Sequence, residues 1–256
     1  MKTFVLCTLA VLFAASAHAA IKVEAVEYKQ GETTLRGQLA YDDAVKGKRP
    51  GVLVVHEWWG LNEYVKSRAK MLAEAGYVAF AVDMFGDGKS TEHPDEAGKW
   101  ATAVRQNQQL GMDRFNAAHE LLKKNERVDA SHIAAIGYCF GGSIVLTQAL
   151  NGADLDGVAS FHGALPTDPA KGKVAASILI CHGAADSFIS AEQVATLQKN
   201  LADAGADWEF IAYANAKHGF TNPDADKRGL SGLAYNEKAD RRSWQTLIDF
   251  LAEVCK

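Results

Sequence analysis

The sequence predicts an α/β protein with a mostly parallel, doubly wound sheet of about eight strands flanked by helices. Three observations lead there. Strand-like apolar runs alternate with amphipathic helical stretches along most of the chain. Runs such as Gly51–His56 and Tyr77–Val82 are continuously apolar, as strands covered on both faces are. The run Ile133–Tyr138 enters Gly137-Tyr138-Cys139-Phe140-Gly141-Gly142 and then a helical stretch, which is a strand, a tight turn and a helix in succession.

Residues 1–19 read as a signal peptide and stand apart from the fold. Lys2 gives a positive start, Phe4 to Ala15 is apolar, and Ala17-His18-Ala19 forms a small-x-small cleavage site. No Cys stands there to carry a lipid, and no later run is long and apolar enough to span a membrane. The chain is therefore expected to be exported, to the periplasm if its source is a Gram-negative bacterium. Residues 20–256 have a length that suits one domain with a large core, without repeats or linkers.

Each element follows from local pattern. Lys22–Tyr28 and Thr33–Tyr41 alternate as an antiparallel hairpin turned at Gln30-Gly31. After the strand Gly51–His56, Asn62–Ala75 has helical periodicity and stops at Gly76. The strand Tyr77–Val82 runs into the glycine-rich, polar loop Met84–His93. Pro94–Asn125 is helical in pattern, in two pieces with the break expected near Gly111. The stretch Asp83–Asn125 is expected to cap the site. Ile133–Tyr138 and Ser143–Leu150 form the strand and helix around the tight turn. Gly157–Phe161, Ser177–Cys181 and Trp208–Tyr213 are three further strands, with helices at Ala191–Ala204 and Asn236–Val254.

Composition narrows the function. Loss of Lys2 with the leader takes the formal net charge from −4 to −5, and no basic run is present, so nucleic acid is not an expected partner. Cys7 leaves with the leader and three cysteines remain. An odd number leaves at least one thiol free or paired between chains, and in an oxidising compartment a retained free thiol calls for a reason. Cys181 lies in an apolar run as a small hydrophobe, while Cys255 is either inert or paired with Cys181.

The chemistry gathers at strand ends, where sites of such sheets lie. They carry His56-Glu57-Trp58-Trp59-Gly60, Cys139, Cys181-His182-Gly183-Ala184-Ala185-Asp186 and Ala216-Lys217-His218-Gly219-Phe220. Cys139 occupies the reactive position of a nucleophile elbow, G-x-[Ser/Cys]-x-G. The order nucleophile, Asp, His is that of the α/β-hydrolases, with Cys139 as nucleophile, His218 as base and Asp186 as its orienter. His182 is a rival base placed directly after an apolar strand, and His56 and His162 also stand at strand ends in expected structural roles. Glu57 follows the strand beside the elbow strand and is a candidate catalytic carboxylate near the thiol. The backbone amides of Trp58 and Phe140 are the candidate oxyanion hole. Trp58, Trp59, Phe85 and Trp100 could wall an apolar pocket. No H-E-x-x-H or similar ligand spacing is present, so no metal and no cofactor is expected.

H-E-W-W-G, G-Y-C-F-G-G, H-G-A-A-D and H-G-F, in this order, resemble the dienelactone hydrolases (carboxymethylenebutenolidases) of the α/β-hydrolase superfamily. The likeness covers essentially all of residues 20–256. It implies a Cys139–His218–Asp186 triad, with Glu57 as a carboxylate partner of the resting thiol. Phe220, at the strand end with His218, and Asn222 are further candidates for the substrate pocket. Asn222 stands where those enzymes carry an arginine for a substrate carboxylate, and no second such arginine matches in Asp95–Thr102. Arg105 and Arg114 are the candidate substitutes. The implied activity is hydrolysis of a small carboxylic ester or lactone through an acyl-enzyme. The alternatives are a thioesterase or other acyl hydrolase, and a non-catalytic small-molecule-binding protein on a hydrolase scaffold. The lack of a C-x-x-C pair argues against a thiol-redox role.

Overall fold

The computed structural model describes residues 21–256, so the signal peptide expected at 1–19 lies outside the described residues. Strands β1 (Ile21–Gln30) and β2 (Thr33–Asp42) form the expected hairpin, in register from Ile21 opposite Asp42 to Gln30 opposite Thr33. The chain continues through β3 (Arg49–Val55), α1 (Glu63–Glu74), β4 (Val78–Val82), α2 (Pro94–Gln106), α3 (Gln108–Lys123), β5 (Val128–Tyr138) and α4 (Phe140–Leu150). It closes with β6 (Gly157–Phe161), β7 (Ser177–Gly183), α5 (Ala191–Asp203), β8 (Trp208–Tyr213), a 3₁₀ turn (Ala225–Arg228) and α6 (Glu237–Val254).

The eight strands make one sheet in the order β1-β2-β4-β3-β5-β6-β7-β8. Strands β3 to β8 pair in parallel, and β2 joins β4 antiparallel. Residue alternation divides the interior. Leu53, Val55, Val78, Phe80, Ile178 and Ile180 face one core, against α2, α3, α4 and α5. Val52, Val54, Ala79, Ala81, Leu179 and Cys181 face the other, against α1 and α6. Both faces of the central strands are thereby dry, which is why they read as unbroken apolar runs. Burial of a side chain such as Leu247 or Leu251 of α6 contributes about 2 kcal/mol.

Helix starts follow their caps. The Asn62 side chain accepts the Val65 N–H, Asn236 accepts that of Ala239, and Ser190 with Gln193 forms a capping box. The break expected near Gly111 falls at Asn107 instead, whose side chain accepts the Leu110 N–H and starts α3. Gly111 lies inside α3, where an added Cβ would come 3.2 Å from Val104 Cγ1, so its role is close packing on α2. The expected cap over Asp83–Asn125 is also corrected. Helix α3 buries Phe115, Ala118 and Leu122 against the sheet as one of its covering helices. The loop after β4 and α2 reach the carboxyl ends of the strands, where Ser90 bridges to Gly60 and Gly98 faces the Trp58 ring. Among the described residues Cys139, Cys181 and Cys255 are free thiols, so Cys181 and Cys255 are not paired with each other.

Candidate active site

Cys139 sits between β5 and α4 at φ 52°, ψ −111°. This backbone state costs a non-glycine residue about 1–3 kcal/mol, so neighbouring contacts must enforce it. The Cys139 N–H donates to the Phe161 carbonyl at 3.0 Å, and the Gly141 N–H donates to that of His56 at 3.0 Å. The flanking glycines let the chain close this tightly. A Cβ on Gly137 would strike the Gly141 carbonyl, and one on Gly141 would strike the Val55 carbonyl. The half-buried thiol is thus held at the carboxyl end of the central strands.

His218 follows β8 on a loop tied down by the Ala234 N–H to its carbonyl and the Asn236 N–H to that of Phe220. Its Nδ1 lies 2.8 Å from Asp186 Oδ2, and the other Asp186 oxygen accepts the Phe188 N–H at 2.9 Å. Asp186 is buried and caps no helix, since Ser190 starts α5. Burial opposes charge on His218, but Cys139 and Asp186 on its two sides outweigh it and raise its pKa to about 10. The rival His182 lies within β7. It was expected to hydrogen-bond structurally, yet its Nδ1 has no partner and its ring packs 5.4 Å from Phe210. Burial lowers its pKa.

Glu57 is buried next to this pair. Its Oε2 accepts a 2.6 Å hydrogen bond from Asn222 Nδ2, and its charge interacts with His218. Burial raises its pKa to about 6, partly offset by Asn222, His218, Arg228 and Arg68. No hydrogen bond joins Glu57 to Cys139 among the described residues. One oxygen of the carboxylate implied for the thiol is thus engaged by Asn222. Asn222 is itself buried, so the amide expected beside substrate is taken up by Glu57.

The N–H groups of Trp58 and Phe140 make no hydrogen bond among the described residues, which leaves both as open donors. His56 fixes the Trp58 loop. Its Nε2 accepts the Met84 N–H at 3.2 Å, so its Nδ1–H donates to the Glu57 carbonyl at 2.5 Å. The proposed aromatic walls divide. Trp59, Phe85 and Phe220 are buried, under Arg228, against Phe140 and against His162 respectively, so they are packing residues. Trp58 and Trp100 are partly exposed. Arg114 donates to the Met84 carbonyl at 2.6 Å and holds that loop, while Arg105 stacks 5.8 Å over the Phe140 ring on an exposed groove of about 270 Å³.

Sequence reasoning missed the support behind His218. Thr221 Oγ1 bonds His162 Nε2 at 2.7 Å and the Tyr64 hydroxyl at 2.6 Å. Arg68 Nη2 donates to the Thr221 carbonyl and, at 2.6 Å, to Asp240 Oδ1. A cation on the apolar face of α1, four residues after Tyr64, was the available signal. Phe188 was also missed. Its ring is 54% exposed and stands edge-on to His218 at 5.2 Å, so it lines the mouth of the site.

Among known proteins, the dienelactone hydrolase family model matches residues 35–255. Protein usf of Aquifex pyrophilus is 28% identical over 235 residues, covering 89% of this chain and 97% of its own. An Aquifex aeolicus protein, provisionally named a carboxymethylenebutenolidase, is 27% identical over 238 residues, covering 90% of this chain and 98% of its own. A solved dienelactone hydrolase-like promiscuous phosphotriesterase from metagenomic libraries is similar at TM-score 0.90 and 34% identity, covering 93% of this chain and 100% of that one.

Proposed function

This chain belongs to the dienelactone hydrolase family, and from that premise we propose that it is a cysteine-dependent hydrolase of carboxylic esters or lactones. The observation that carries the reading is the strained Cys139 elbow facing a His218 whose far nitrogen is held by buried Asp186. Cys139 Sγ attacks the carbonyl carbon while His218 Nε2 holds the thiol proton. The carbonyl π electrons move to oxygen, and the oxyanion is met by the Trp58 and Phe140 amides. Collapse breaks the C–O bond, and His218 returns the proton to the leaving alkoxide. Water, deprotonated by His218, then attacks the thioester and releases the acid and the free thiol. Asp186 keeps the Nδ1–H tautomer throughout and stabilises the imidazolium.

Substrates without a carboxylate suit this site. The side chain at 222 is an amide engaged by Glu57, Arg114 is engaged by a carbonyl, Arg68 pairs with Asp240, and Arg105 lies over the Phe140 ring along the separate groove. Export from the cytoplasm belongs to the same proposal, on the leader pattern of residues 1–19. A second reading is favoured by the likeness to the phosphotriesterase. The same sulfur would attack phosphorus, forming an S–P bond as an aryloxide leaves, and water would then cleave that bond.

The test is a panel of aryl esters, enol-lactones, dienelactone, thioesters and an aryl dialkyl phosphate, with wild type against Cys139→Ala. Turnover of neutral esters or lactones that vanishes in the variant is expected. Full turnover by Cys139→Ala overturns the mechanism. Tight binding without turnover across the panel would favour a binding protein.

A further inference from the structure

We propose that Asn222 is a positioning residue whose side-chain amide holds the Glu57 carboxylate beside His218 and off the thiol, so that Glu57 serves the imidazole rather than the cysteine. The proposal rests on the reading of Cys139 and His218 as the reacting pair.

Asn222 is fixed before it touches Glu57. Its N–H donates to the Gly219 carbonyl at 2.9 Å, and its Oδ1 accepts the Asp224 N–H at 2.9 Å. That leaves Nδ2 pointing at Glu57 Oε2, 2.6 Å away, between two buried side chains. The other carboxylate oxygen, Oε1, lies 4.0 Å from where a Cβ on Gly219 would stand, against the residue following His218.

The other groups facing Glu57 are engaged elsewhere or make no hydrogen bond to it. On α1, Arg68 bonds the Thr221 carbonyl and Asp240, and the Tyr64 hydroxyl bonds Thr221. In the 3₁₀ turn, Arg228 stacks 4.5 Å over Trp59 with Glu92 at 3.7 Å. On β5, the Tyr138 hydroxyl has no partner among the described residues. The orientation of Glu57 therefore depends on one neutral donor from residue 222.

The consequence is electrostatic. With Asp186 on Nδ1 and Glu57 alongside, two carboxylates favour the imidazolium that forms whenever the thiol gives up its proton. A protonated Glu57 withdraws one of them. The Asn222 hydrogen bond favours the Glu57 anion, so its loss moves Glu57 titration upward.

The experiment compares the pH profile of kcat/KM for wild type, Asn222→Asp, Asn222→Ala and Glu57→Gln, using a neutral aryl ester. Asn222→Asp retains the acceptor for the Asp224 N–H, which protects the turn if the alanine variant misfolds. The expected wild-type acid limb lies near 6, and Asn222→Asp displaces it upward by about one pH unit or more, because two carboxylates share the contact. kcat at neutral pH falls and recovers as the pH rises. Glu57→Gln abolishes this limb. An unmoved limb in Asn222→Asp, whether activity falls at all pH values or only KM rises, overturns the proposal. Survival of full turnover in Cys139→Ala would instead overturn the underlying reading, so the two failures are separable.

Discussion

His218 Nδ1 and Asp186 Oδ2 lie 2.8 Å apart, joining the end of β7 to the loop after β8 across 32 residues of sequence. The buried aspartate is fixed by the Phe188 N–H, so it leaves the ring one tautomer and one orientation.

Asp186→Asn keeps the volume of this contact and removes its charge. The asparagine favours the wrong tautomer, and the imidazolium loses its counter-charge. kcat on a neutral ester is expected to fall about 100-fold or more, with KM changing far less. Steady-state kinetics on the folded variant checks this, and a loss confined to KM would count against the assignment.

At Glu57 the proposed function opposes stability. Its pKa is raised from 4.5 to about 6, so the native state binds this proton more tightly than the unfolded chain does. The favourable contribution of the protonated group is complete below 4.5, declines as pH rises from there through about 6, and is absent above. Over that window the difference amounts to about 2 kcal/mol. Glu57→Gln is therefore expected to raise Tm at pH 8 relative to wild type, with the gain shrinking toward pH 4.5, while turnover falls. Calorimetry at the two pH values decides. A variant less stable at pH 8 would contradict the burial argument.

Gly137 and Gly141 are held to their size by backbone, not by side chains that could move. Gly141→Ala would push a methyl group into the carbonyls of Val55 and His56, the loop that carries Glu57 and Trp58. A loss of about 1–3 kcal/mol or more is expected in urea unfolding, together with loss of turnover. Gly31→Ala is the control for substitution at a glycine, because nothing lies within 4 Å of its added Cβ. Its φ of 55° makes some destabilisation expected there too, but turnover should survive.

The sheet and its candidate reacting residues are legible because each has a local cause. Val52 to Val55 alternate between two dry cores, so the strand shows as an apolar run. Cys139 stands between glycines whose need is steric, and Asp186 and His218 each end a strand-like run. The Glu57–Asn222 contact spans 165 residues and has no local signature. Arg68 sits on the apolar face of α1, but its partners Thr221 and Asp240 come from the far end of the chain and have no local signature. Helical periodicity identified α3 but could not say which layer it covers. That depends on its packing against β1, β3 and β5. Phe85 and Phe220 were assigned to the pocket from their place at strand ends, and tertiary packing buried them instead.

The most direct measurement is peptide mass spectrometry after rapid acid quench of the enzyme turning over an activated aryl ester. The account expects an added acyl mass on the peptide containing Cys139, appearing with the burst of aryl alcohol and decaying as substrate is exhausted. Steady turnover with no acyl mass on that peptide at any time, and with an undiminished rate in Cys139→Ala, would contradict it.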